Sequence, residues 1–421
     1  MRKSRKVASA VCIIILACAV SVPLASADWA MFRANPSHTG VGTGPPALTP
    51  KLLWNFTADG TVESSPVVAN GVVYIGSNGG DVYALNARDG KEIWTYTTGR
   101  WVESSADVSN GVVYIGSDDN KLYALNATNG HITWSYSTGD SNFVISSPTV
   151  LNDVVYFGSF INTIGGADNF TGYDYAFNAT SGVQLWNFTT RGGVASSSAV
   201  VGGVVYFGSE DSNVYALNAA NGVKLWNYTT GGFVVSSPAV VDGVVYVGSD
   251  DHNVYALNAA NGDKIWNYTT GGYVESSPAV LNGVVYVGSD DGNVYALNAS
   301  NGDKLWNFTM GSGVESSPAV VRGVVYEGSG EFNDGDICAL NATNGEEIWS
   351  YPNNGFVVSS PAVVDGVIYI GSYNSDEVCA LGVLPSSSNN LYVAVGVTAA
   401  LIIVAATVVV LMLQKRYRSA R

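Results

Sequence analysis

A unit of about forty residues recurs eight times along this chain, and no other feature limits its fold so severely. The copy running from Glu275 to Trp306 shows the pattern most cleanly. It contains four short runs of strand-forming residues separated by three turn signals. Asn282-Gly283 marks the first turn, because a type I′ hairpin needs positive φ at both central residues. Asp290-Asp291-Gly292-Asn293 and Asn301-Gly302 mark the other two. Four-stranded units in tandem at this spacing predict an all-β propeller, each unit forming one antiparallel blade.

Two landmarks count the blades. A tryptophan opening the fourth strand recurs at Trp54, Trp94, Trp134, Trp186, Trp226, Trp266, Trp306 and Trp349. A serine pair opening the first strand begins at Ser64, Ser104, Ser146, Ser196, Ser236, Ser276, Ser316 and Ser359. Eight of each predict eight blades. Trp54 precedes the first serine pair, whereas the last unit ends at Cys379-Ala380-Leu381-Gly382 without a tryptophan. The N-terminal segment Lys51–Phe56 is therefore expected to supply the outer strand of the eighth blade, closing the ring and removing exposed sheet edges. An open solenoid is the alternative, but no polar capping repeats accompany the pattern. Length alone would allow two domains, but the repeats fill residues 28–384 and predict one.

The two ends read differently. Arg2, Lys3, Arg5 and Lys6 precede an apolar run from Val7 to Val20, and Ala25-Ser26-Ala27 offers a small-residue cleavage site. Residues 1–27 thus have the layout of a secretory signal peptide. Residues 391–413 are uncharged and mostly apolar, long enough for one C-terminal transmembrane helix. Lys415, Arg416, Arg418 and Arg421 follow, which predicts a cytoplasmic tail over 414–421 and an extracellular propeller on a polar stalk, 385–390. Eight of the 19 basic residues lie in these end segments and none of the 34 acids does, leaving about −23 on the propeller. Such an imbalance excludes nucleic acid as a natural partner.

Cys12 and Cys18 fall in the signal segment, while Cys338 and Cys379 occupy one repeat position on neighbouring blades. Equivalent positions on neighbouring blades are expected to stand too far apart for a disulfide, so two buried thiols are expected. Ten glycosylation sequons occur, at Asn55, Asn126, Asn169, Asn178, Asn187, Asn227, Asn267, Asn298, Asn307 and Asn341. They predict either a glycan coat or simply outer-strand sequence repeated by duplication.

The repeat, with its Val-Val-Tyr-x-Gly-Ser, Tyr-Ala-Leu-Asn-Ala and terminal Trp, resembles the pyrroloquinoline-quinone (PQQ)-like β-propeller repeat over residues 28–384. The lead-in from Asp28 to Gly40 resembles the segment that precedes the first blade in that family. The resemblance implies the eight-bladed fold. For function it implies two classes, quinoprotein dehydrogenases and non-enzymatic scaffolds. The enzymes of the family hold PQQ against a vicinal Cys-Cys disulfide and a stacking tryptophan, with calcium bound by Glu and Asn or Asp and a catalytic Asp. This chain has no Cys-Cys pair, and its blades are too alike for one active site.

Functional residues are expected where a blade departs from the repeat. Blade three carries an insertion from Phe160 to Thr171, including Asp168 and Phe170. Blade seven carries an acidic one with Glu331, Asp334 and Asp336. Loops on a rigid scaffold often carry binding residues, although tolerated insertions look the same. The residue before the serine pair is Glu63, Glu103, Glu275 and Glu315 in four blades, an acidic arc on the same face. Two residues upstream of that position stand Trp101, Phe143, Phe233, Tyr273 and Phe356. Packing between blades and a solvated rim are the plainer readings; a ligand surface centred on these glutamates, Trp101 and Tyr273 is the functional one. The acidic turns at Asp118-Asp119, Asp250-Asp251 and Asp290-Asp291 lack the spacing of an EF-hand loop and read as hairpin turns. Asp107, in place of the usual alanine, has no explanation in sequence. No nucleophile, Walker, HExxH or Cys/His metal motif occurs.

The sequence thus predicts a membrane-anchored extracellular propeller that binds an envelope protein or surface glycan without cofactor or catalysis. A PQQ- and calcium-dependent oxidoreductase is the rival.

Overall fold

The computed structural model describes residues 28–140, 142–161, 171–330, 335–353 and 355–384. These build eight antiparallel sheets of four strands each, two of which gain one further short strand. Blade five is typical: inner strand Ala239–Val241, then Val244–Ser249, Asn253–Asn258 and outer strand Lys264–Thr269. Asn282 and Gly283 take φ of 51° and 77°, the conformation a type I′ turn requires. At the outer turn Gly302 serves twice. Its φ is 77°, and a Cβ there would come within 2.7 Å of the Trp266 ring on the preceding blade.

Closure follows the expectation. Leu52–Thr57 lies antiparallel to Glu377–Gly382, with Trp54 opposite Ala380 and Asn55 opposite Cys379. Two rings of hydrogen bonds then join blade to blade. In the inner ring the second serine of each pair donates its backbone N–H to the equivalent serine hydroxyl of the next blade. The chain of donors runs Ser65, Ser105, Ser147, Ser197, Ser237, Ser277, Ser317 and Ser360, and Ser360 returns to Ser65 at 2.9 Å. The first serine works within its blade: the hydroxyl of Ser236 accepts the N–H of Gly248 at 3.0 Å.

The outer ring converges on alanine carbonyls. Trp226 Nε1 and the Tyr206 hydroxyl of blade four both donate to Ala259 O of blade five, at 3.0 and 3.1 Å. This pairing repeats at every junction. At the seventh junction Trp349 and Tyr326 reach Ala47 O, so the segment before the closing strand supplies the acceptor that blade eight lacks.

The lead segment lines the axis on the face of the inner hairpin turns. Carbonyls of Trp29, Ala30, Pro36, Ser37, Thr39 and Gly40 accept N–H groups from Val68, Val108, Val200, Val240, Val280 and Val320 in turn. Val41–Gly42 then continues as a short parallel strand beside Ala319–Val321. Between Ala30 and Pro36 the segment turns through Arg33 and Ala34, at φ of 60° and 71°. Its backbone therefore offers no carbonyl to the Val150 N–H of blade three, and Asp107 fills the gap: its Oδ2 accepts that N–H at 2.7 Å. Burial, against the Val150 hydrogen bond, pushes this carboxyl up to about 8.

Arg33 itself is buried, Nη1 donating to Pro318 O at 2.6 Å, near the fully buried Glu327. His38 Nε2 lies 3.0 Å from Thr149 Oγ1, and burial with Arg33 nearby lowers its pKa to about 3. Cys338 and Cys379 are free, buried thiols, pushed up to about 12 chiefly by burial. Among the described residues no helix is long and apolar enough to cross a membrane. The expected signal segment, stalk, transmembrane helix and tail lie outside the described residues.

Asp107→Ala restores the residue found in most blades but strands the Val150 N–H. It is expected to lower stability by about 1–3 kcal/mol in denaturant titrations at pH 7, whereas Asp107→Asn, which keeps the acceptor, retains most of it.

Candidate functional site

Connectors between blades and turns between second and third strands meet on one face. The N–H groups of Asp118, Asp250 and Asp290 donate to the carbonyls of Trp101, Phe233 and Tyr273, at 2.9, 2.9 and 3.0 Å. Each bond locks a hairpin turn to the connector from the blade before. The lead segment caps the opposite face, where Asp28 Oδ1 accepts the Asn70 N–H.

The four predicted glutamates do share this face. Glu63 accepts a 2.6 Å bond from Asn78 Nδ2, and burial nevertheless raises its pKa. Burial, then the charges of Glu63 and Asp118, push Glu103 up to about 8. Glu275 rises to about 7 through burial and then Glu315, Asp250 and Asp290, and Glu315 to about 7 through burial, Asp290 and Glu63. The Glu63 charge adds a smaller push on Glu315 from the far side of blade eight.

The acidic turns contribute more than the sequence indicated. In each Asp-Asp pair the second residue is the hairpin element. Asp251 accepts Tyr255 Oη and Gly231 N–H at 2.6 Å on Oδ2, and Asn253 N–H on Oδ1. Burial opposes its ionisation, but these hydrogen bonds outweigh it and lower the pKa. The first residue of each pair joins the arc instead. Asp118 and Asp250 are pushed up to about 6, chiefly by burial, and Oδ1 of Asp118, Asp250 and Asp290 has no hydrogen-bond partner. Glu210 stands at the same turn position and is also raised by burial. Comparing positions after the Ser of Gly-Ser across blades would have found them.

The aromatic positions depart from the packing expectation. Trp101, Phe233 and Tyr273 are 51%, 53% and 49% exposed, too open to be blade-to-blade core. Phe143 does pack, edge-on to Phe160 at 5.6 Å and beneath the Arg100 guanidinium at 5.0 Å. Phe160 thereby braces the start of the blade-three insertion; Asp168 and Phe170 lie outside the described residues. So do Glu331 and Asp334, while Asp336 sits in the strand Gly335–Asn341 with its carbonyl bound to Ser329 N–H. Sequons Asn55, Asn187, Asn227, Asn267 and Asn307 are exposed on outermost strands, and Asn126 is exposed at a third-strand end. Asn178, Asn298 and Asn341 are half-buried at equivalent ends, and Asn169 lies outside the described residues.

Carboxyls whose folded pKa is raised bind protons that the unfolded chain releases, so they stabilise below their folded pKa and lose that contribution as pH rises through it. His38 acts oppositely, but only below its ordinary value near 6.5. Melting temperature is therefore expected to fall from pH 6.5 to 8.5. Glu103→Gln should flatten that slope in thermal scans at matched ionic strength.

A family profile described as outer membrane protein assembly factor BamB matches residues 47–173, 171–331 and 269–384. No curated protein sequence matches the chain. Among solved structures, a europium-containing methanol dehydrogenase superposes with a TM-score of 0.73 at 13% identity, covering 85% of this chain and 98% of that one. BamB from Moraxella catarrhalis gives 0.65 at 18%, covering 79% and 100%. Quinohemoprotein alcohol dehydrogenase from Comamonas testosteroni gives 0.70 at 17%, covering 84% and 80%. With repeat, ring closure and profile in agreement, the chain belongs to the PQQ-like β-propeller family.

Proposed function

We propose that this propeller is a non-catalytic binding scaffold, carried outside the plasma membrane on a C-terminal span and presenting its acidic face to an envelope protein or surface glycan. One observation carries the reading. The carboxylates that interrupt an apolar position of the repeat gather on a single face, beside three half-exposed aromatic rings. Exposed aromatics beside fixed charge are the usual makings of a recognition surface. Exposed sequons on the outer strands suit a glycan coat on the rim, leaving that face open.

The neighbours by fold include an assembly factor and two dehydrogenases, so similarity favours neither class. The residues present do not fit PQQ with calcium. The two described thiols are buried singly on different blades, and no group of three His, Cys, Asp or Glu among the described residues could hold a metal ion.

The test uses the full chain and a variant with Glu63, Glu103, Glu275 and Glu315 all changed to Gln. The wild type is expected to retain a component of its own cell envelope that the equally folded variant holds at least tenfold more weakly. Adding PQQ and calcium should produce neither quinone absorbance nor dye-linked alcohol oxidation; turnover would transfer the case to the enzyme reading.

A further inference from the structure

Large apolar side chains left in water gather at one end of the blades. Of those exposed among the described residues, only Trp101, Phe233 and Tyr273 lie on the acidic face. The rest stand where outer strands begin or beside the closing seam. That end carries the lead segment. Ala259, at the outer turn of blade five, donates its N–H to Gly243 O at the inner hairpin turn, at 2.9 Å. Blades one to seven share this bond, so inner and outer turns lie on the same face, opposite the acidic arc.

Each blade exposes a leucine or isoleucine there. Ile93, Leu185, Leu225, Ile265, Leu305 and Ile348 directly precede the outer tryptophan. The register slips at this point: Trp226 faces Ala216 and Lys224 faces Leu217, so Leu225 is a bulged residue that the sheet leaves unpaired. Duplication explains a shared letter, but two blades keep the property without the letter. Blade two has Thr133 before its tryptophan and exposes Ile132 instead. Blade eight half-buries Leu53 and exposes Leu52, joined by Leu48 and Val383 from outside the repeat, 58% and 60% exposed. None of these side chains serves the core, and leaving them in water is unfavourable.

Three observations choose what covers them. Single apolar side chains spaced one blade apart do not make the contiguous patch of a protein interface; they suit a partner that is flat and continuous. Exposed Lys51, Lys91, Lys224, Lys264 and Lys304 stand at the same strand entries, and apolar groups interleaved with lysine settle at the boundary of lipid headgroups and acyl chains. Asp89, Asp263, Asp303 and Glu346 share the rim, so apolar contact rather than charge carries the attraction. Finally, the chain leaves from this rim. Val383 N–H donates to Gly366 O at an inner turn, and the apolar run 391–413 begins within about 25 Å of Leu384 at full stretch. We propose that the turn-bearing rim is a membrane seat, its ring of leucine and isoleucine side chains dipping into the bilayer interface and holding the acidic face away from it. The proposal rests on the membrane-anchored scaffold reading and adds the orientation of the propeller.

The test places the full chain in phosphatidylcholine nanodiscs that contain lipid with a nitroxide on its headgroup. A fluorophore is attached at Lys224→Cys or, on the opposite face, at Arg191→Cys, with Cys12 and Cys18 changed to Ser; Cys338 and Cys379 are buried and stay unlabelled. Lys224 belongs to blade four, across the ring from the chain exit in blade eight, so the tether alone does not bring it to lipid. Fluorescence at Lys224→Cys is expected to fall at least twofold in the nitroxide discs and to stay unchanged at Arg191→Cys. Changing Leu185, Leu225 and Ile265 to Ser should abolish that quenching without lowering the melting temperature, whereas Trp101→Ser leaves it intact. Equal quenching of the two probes would overturn the proposal. So would a probe at position 224 that lipid does not quench; if it is also shielded from aqueous iodide, the rim belongs to a second copy or another protein. If the chain enters the discs and the seat is not seen, the anchor stands and this inference alone falls. A chain that stays out of the discs removes anchor and seat together.

Discussion

Everything in this molecule hangs on a closed cycle of backbone-to-hydroxyl bonds at the inner end of the blades. Each second serine donates its N–H forward and accepts from behind, and all eight links lie between 2.9 and 3.1 Å. Connectors leaving a sheet normally expose unpaired N–H groups, which are costly when buried. Here every such donor at the second serine is satisfied by a neighbour, so no blade is complete until the next is in place. The cycle therefore couples sheets whose own strands are short, and it closes after eight blades where Ser360 returns to Ser65. A ring of seven or nine such sheets would have to change the geometry of these links.

The outer ring applies the same logic with larger groups. A buried indole must find an acceptor, and the alanine carbonyl of the next blade supplies it together with a tyrosine hydroxyl. The arrangement demands a partner blade with an Asn-Ala turn, which blade eight lacks because its third strand ends at Leu381-Gly382. Ala47 answers that demand from the opposite end of the sequence. The N-terminal region is thus more than a closing strand: it supplies an acceptor to blade seven, a strand to blade eight and an axial lining to six inner strands.

Sequence periodicity showed the blade count and the closing strand because both depend on residues that repeat, Trp54 among them. What it could not show depends on residues that do not. Asp107 makes sense only once the path of the lead segment past blade three is known, since its partner Val150 is on another blade. The Asp-Asp turns look uniform, yet Asp251 is consumed by Tyr255 and Gly231 while Asp250 Oδ1 has no hydrogen-bond partner; neighbouring letters of one motif do different jobs. The exposure of Trp101 and Tyr273 was equally hidden, because an aromatic residue in a β-rich repeat is ordinarily core. The glutamates were legible as an arc because they interrupt an apolar position in only half of the blades.

That interruption has no architectural cause. Ile145, Ala195, Val235 and Val358 occupy the glutamate position in the other blades, and those blades keep the same strands and the same serine links. The fold therefore has no need of a carboxylate there. Yet four are present, joined by Asp118, Asp250, Asp290 and Glu210, all pushed toward the protonated form by burial. Crowding like charges at partly desolvated positions costs stability. The carboxylates are thus a feature that the scaffold does without in half its blades and that opposes folding in the rest.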